Sequence, residues 1–122
     1  MATGAILTDV KQLLMIPDDL PVYDQDLIIH INGAFATLHQ LGVGPIDGFE
    51  ITEGNEQWDE FLENKKHLNS AKSFVFIQVK LLFDPPTNAF LVNSLEKQLE
   101  QLTFRLSVAA EGGQNGKQII YP

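Results

Sequence analysis

The chain predicts an all-α fold: a small bundle of four to five helices with a long C-terminal helical hairpin and an extended C-terminal tail. Three observations carry this. Leu91, Leu95, Leu99, Leu102, Leu106 and Ala109 recur in steps of three and four, the stripe of a helix with one buried face. Leu27, Ile28, Ile31, Phe35, Leu38 and Leu41 repeat that period ahead of Gly42, a natural residue just past a helix end. Pro85 and Pro86 separate the leucine-striped stretch from an apolar arm before it, so the two arms read as a hairpin with a stiff corner.

In chain order, Thr8 to Ile16 reads as a first helix, with Thr8 or Asp9 near its start, Val10, Leu13 and Leu14 on one side and Pro17 ending it. The loop DDLPVYDQD follows. Asp24 is placed to cap the second helix and Asp26 to favour its first turn. That helix runs to about Leu41, and Gly33, Ala34 and Ala36 permit close approach of a neighbour. Gly42 to Gly48 is a tight loop, and Phe49 and Ile51 suit a brief extended piece. Asn55 to Leu62 reads as a short acidic helix stapled by Trp58, Phe61 and Leu62, and Asn64 to Asn69 as a polar linker. In the first arm of the hairpin, Val75, Ile77, Val79, Leu81 and Phe83 alternate as in a strand, yet nearly every residue from Phe74 to Phe83 is apolar, as in a buried helix. Length favours helix, since the segment starts near Asn69 or Ser70 and runs unbroken to Asp84. Thr87 or Asn88 then caps the second arm. Residues 1–111 form the helical domain, and residues 112–122 a glycine-rich spacer and tail ending in QIIYP.

Composition narrows the function classes. One domain of 122 residues with 44% hydrophobic content has a real core, and no apolar run reaches the roughly 18 residues of a membrane span. The N-terminus lacks the basic and apolar regions of a secretory signal. With no cysteine there is neither a disulfide framework nor a thiolate metal site. The net charge of −8 opposes binding through nucleic-acid phosphates. Its distribution is uneven: residues 1–63 hold twelve acids against the single base Lys11, net −11, whereas residues 64–122 hold four acids against seven bases, net +3. This is either a solvated acidic surface or one side of a head-to-tail contact between copies.

Candidate chemistry fails its specific tests. His30 and His39 lie nine residues apart, about 180° around a helix, and cannot share a metal within one chain. Asp18, Asp19, Asp24 and Asp26 lack the glycine and the distal glutamate of a calcium loop, and Glu50, Glu53, Glu56, Glu60 and Glu63 read as a charged face. In GGQNGK the glycines have the wrong spacing, no hydroxyl residue follows Lys117 and no helix opens after it, so it is not a phosphate loop. No nucleophile sits with a histidine and an acid in a readable motif. Neither catalysis nor a cofactor is expected.

Three ordered motifs carry a resemblance: Asp26-Leu27-Ile28 with His30-Ile31-Asn32; Gln40-Leu41-Gly42-Val43-Gly44-Pro45; and Leu81-Leu82-Phe83-Asp84-Pro85-Pro86 ahead of a long leucine-striped helix. With the W-x-x-F-L of Trp58 to Leu62, they make the chain similar, over about residues 7–110, to the head-tail connector (adaptor or head-completion) proteins of long-tailed bacteriophages. The departures lie before Thr8 and in the tail. The resemblance implies a non-enzymatic virion protein of the neck, made in the host cytoplasm. It implies a homo-oligomeric ring of about twelve subunits beneath the portal protein, joined on its far side to a stopper or tail protein, with DNA passing through unbound. On that reading Asp84, Pro85 and Pro86 are a structural corner, and Ile119, Ile120 and Tyr121 contact the portal or a neighbouring subunit, by adding a strand to an exposed edge. The alternatives are a small helical protein-interaction module without ring assembly, and a metal-dependent nuclease or hydrolase built on the acidic half.

Overall fold

A computed structural model describes residues 4–115, with side chains for residues 4–111. Among the described residues there are five α-helices and no strand: α1 (Ile6–Leu13), α2 (Asp24–Gln40), α3 (Trp58–Leu62), α4 (Ala71–Phe83) and α5 (Ala89–Asn115). Short 3₁₀ turns at Pro21–Tyr23 and Lys66–Leu68 lead into α2 and towards α4. The all-α expectation holds.

α4 is the central element. It packs on α2 along one side and on α5 along another, and Ala71, Phe74, Val75 and Val79 are buried between them. A helix covered on two sides needs apolar residues nearly all round, which is why its sequence lacked a single clean period. α2 buries Leu27, Ile31, Ala34, Phe35 and Leu38 in the same core. Gly42, at φ 85, ends it as expected, with the Gly42 N–H bonded to the His39 carbonyl and that of Val43 to Leu38. Of the three small residues expected to admit a neighbour, Ala34 alone is buried, while Gly33 and Ala36 face solvent.

Several boundaries differ from expectation for local reasons. α1 starts two residues before Thr8 and stops at Leu13. Met15 takes the left-handed conformation, φ 63, and the Ile16 N–H turns back to the Lys11 carbonyl at 2.9 Å, so the helix closes before Pro17 acts. Its buried face is Ile6, Leu7 and Val10, and Leu13 points outward. Asp24 is the first helical residue of α2 rather than its cap, because the preceding 3₁₀ turn feeds straight into the helix. α3 begins at Trp58 rather than Asn55, where Gln57 and Glu60 form a capping box. Phe49 and Ile51 form no strand; the one isolated bridge among the described residues joins Ala5 to Gln57. Within the expected polar linker, Leu68 is buried. α5 continues to Asn115, past the boundary drawn at residue 111.

Three polar devices hold α1 and the long 41–57 connection onto the helices. Lys11, the single base of the acidic half, is 2% exposed; its ammonium donates to the carbonyls of Asp18 at 3.2 Å and Leu20 at 3.0 Å and meets Asp24 Oδ1 at 2.8 Å. Asn32, on α2, donates to the Ile51 carbonyl at 2.9 Å and accepts the Ile51 N–H at 2.8 Å, treating the loop as a strand would. The Trp58 indole N–H donates to Asp9 Oδ2 at 2.9 Å, joining α3 to α1 across 49 positions.

Candidate functional site

The features that the structure offers for function are surfaces, beginning at the double-proline corner. Asp84 ends α4 by leaving the helical region, at φ −146 and ψ 64, as the following proline disfavours helical geometry there. Its carboxylate accepts a hydrogen bond from Lys80 at 3.1 Å one turn back. Across the prolines Asn88 caps α5, its Oδ1 accepting the N–H groups of Phe90 at 2.8 Å and Leu91 at 3.3 Å. Phe83, just before the corner, packs edge-on against Tyr23 with ring centres 5.6 Å apart, and against His30 at 6.3 Å. The corner is therefore tied to the start of α2, and two of the sequence motifs meet there in space.

The remaining motifs meet at the other end of α2. Phe35 lies at the centre of an aromatic cluster, 4.6 Å from Phe61, 5.1 Å from Phe49 and 6.2 Å from Trp58. Gly44, at φ 102, runs so close to Phe61 that a Cβ there would stand 2.5 Å from the ring. These residues build the fold.

The leucine stripe of α5 is less deeply covered than its period suggests. Leu106 and Ala110 are buried, Leu95, Leu99, Leu102 and Ala109 half-buried, and Leu91 exposed. On the opposite side of the same helix Phe90, Phe104 and Val108 stand in solvent, 76%, 70% and 51% exposed. Nothing in the described chain covers them. Met15 and Ile46, each 90% exposed, Ile29 and Leu82 add apolar points on other elements. Sequence reasoning missed this second face. The signal was available: Phe104 and Val108 are four apart and out of phase with the leucines, a spacing that places them together on the far side.

Charge is distributed with similar asymmetry. The acidic half keeps its one lysine, Lys11, inside, so no lysine or arginine side chain from residues 1–63 reaches the surface. Glu56 is consumed structurally: its carboxylate accepts the N–H groups of Thr52 at 2.7 Å, Gly54 at 2.9 Å and Glu53 at 3.1 Å. Burial raises its pKa, and backbone hydrogen bonds from Thr52, Glu53, Glu56 and Gly54 together more than reverse this, lowering it to about 2. Among the described residues no group of three or more His, Asp or Glu side chains is arranged to hold a metal ion. No described helix is long and apolar enough to cross a membrane. Ile119, Ile120 and Tyr121 lie outside the described residues.

A family model described as phage connector protein covers residues 6–113. No curated protein and no solved structure matches the chain.

Proposed function

Because the chain belongs to the phage connector protein family, we propose that it is a structural protein of the virion neck: a ring-forming adaptor of about twelve copies that docks under the portal, extends the DNA channel and joins the head to a stopper or tail protein. The observation that carries this reading beyond the family match is the surplus of large apolar side chains in solvent on α1, α2, α5 and the 42–48 loop. Single exposed apolar side chains are ordinary, but Phe90, Phe104 and Val108 share one face of α5 that nothing described covers, as a subunit with neighbours would leave it. The acidic surface suits a conduit, since a phosphate backbone passes such a wall without being held.

The tail has a separate part in the proposal. Ile119, Ile120 and Tyr121 anchor the ring to the portal. Strand addition needs an edge, and the described residues of this fold hold no sheet, which favours the portal over a neighbouring subunit as host. Mixing the purified protein with its portal and measuring the mass of the complex tests the proposal. A stable high-order ring on the portal is expected; a monomer with no portal affinity contradicts it. Removal of residues 116–122, which spares α5, is expected to abolish attachment to portal-bearing heads. Undiminished attachment would refute the role given to the tail.

A further inference from the structure

The seam between α4 and α5 is open along one side. Ser73, Phe76, Ile77, Gln98, Leu102 and Arg105 border a groove of about 420 Å³, which continues past Phe76 and Ile77 into a smaller hollow closed by Leu14, Lys80 and Leu95. The floor is apolar and the rim polar, with Arg105 as a cation on it. Lys80 is engaged by Asp84, but the Arg105 side chain has no ion pair or hydrogen bond among the described residues.

The 42–48 loop carries the complementary shape. The Gly48 N–H bonds to the Pro45 carbonyl at 2.9 Å, closing a turn with Ile46 near its tip, between Gly44 at φ 102 and Gly48 at φ 90. Ile46 is 90% exposed on this braced turn. Asp47 and Glu50 beside it have no ion pair among the described residues. An apolar knob beside the unpaired Asp47 and Glu50, with the paired Glu63 and Lys65 behind it, thus sits in the half of the chain with net charge −11 or at its border, and an apolar slot edged by Arg105 in the half with net charge +3.

We infer that the Pro45–Gly48 turn of one copy seats Ile46 in the α4/α5 groove of the next, with Asp47 facing Arg105. Knob and slot are different surfaces of one chain, so each copy uses both at once. That makes the contact heterologous, the kind that propagates around a ring instead of stopping at a dimer. The opposite charges set its direction, because a reversed approach brings like charges together. The inference rests on the ring reading above and names the faces that meet.

The absence of cysteine allows a direct test. In the double variant Ile46→Cys, Gln101→Cys, assembled on portal-bearing heads and treated with a short bis-maleimide, neighbouring copies are expected to link into a ladder of covalent multimers. Either single variant is expected to give none. Arg105→Glu is expected to lower the number of copies held per head by more than tenfold at low salt, and Asp47→Lys in the same chain to restore it to within about threefold. Both positions are exposed, so unfolding midpoints should match the parent's. Attachment of the double-cysteine variant without a ladder, or an Arg105→Glu variant that assembles like the parent, overturns the inference and leaves the connector reading standing. Failure of the parent protein to attach at all would refute that reading instead.

Discussion

Single residues decide how the long connection between α2 and α4 is held. Glu56 replaces a stretch of secondary structure by gathering three backbone N–H groups onto one carboxylate. Its pKa in the folded chain, about 2, lies below the ordinary value of 4.5, so the folded state opposes its protonation. The stability it contributes is therefore fully present above pH about 4.5 and is lost as pH falls towards about 2. Urea unfolding across that range should show the loss in the parent but not in Glu56→Gln, which should be less stable by about 1–2 kcal/mol at pH 7. Lys11 shows the same economy with opposite charge. Lys11→Met leaves two carbonyls and the Asp24 carboxylate without their donor, and should cost about 2–4 kcal/mol. The glycines divide sharply. Gly44→Ala adds a left-handed conformation to a clash with Phe61 and should destabilise by about 2–4 kcal/mol, whereas Gly33→Ala, with nothing within 4 Å of the new Cβ, should stabilise by about 0.5–1 kcal/mol. Denaturant midpoints of the two variants check both signs.

At the scale of elements, the helices with one buried face were legible in the sequence and the polar supports were not. α2 and α5 announced themselves because burial on one side imposes a period of 3.6 on the leucines. α4 did not, because burial on two sides erases the period and leaves only length to choose between helix and strand. The start of α3 was misplaced because Asn55 and Glu56 have ordinary helical character, while the deciding contacts run from the Glu56 carboxylate backwards to Thr52. Asn32 and Lys11 bond to backbone far along the chain, which no local pattern encodes. The hairpin corner was readable at both levels: proline chemistry stopped α4 and an asparagine restarted the chain. Asn88→Ala removes the two hydrogen bonds at the start of α5 and should lower stability by about 1 kcal/mol, measurable as a shift in the thermal midpoint. The break between α4 and α5 was legible, whereas the outward face of Phe104 and Val108 was passed over, because the stronger leucine stripe accounted for the helix by itself.

Over the whole molecule, the residues that build the fold and those left exposed on its surfaces are largely different. The three sequence motifs build the core, the corner and the base of the 42–48 loop; the surfaces offered to partners lie on α5 and its seam with α4, at the tip of that loop and at the end of α1. Stability and assembly should therefore separate by mutation. Phe104→Glu with Val108→Glu removes exposed apolar groups and should leave the unfolding free energy within about 0.5 kcal/mol of the parent while weakening incorporation into particles. The acidic and less acidic halves of the chain should also make assembly sensitive to salt, since attraction between exposed charges is screened over about 8 Å at physiological ionic strength. Ring formation that is equal at low and high salt would argue against that electrostatic part.

On the proposed function, this small helical bundle is one segment of a closed ring between portal and tail. A reconstruction of the intact neck at side-chain resolution tests it most directly. About twelve copies are expected in a ring against the portal, with Ile46 of each buried against α4 and α5 of the next and DNA in the channel without specific contacts. A neck that lacks the chain, or holds it as isolated copies outside the channel, would contradict it.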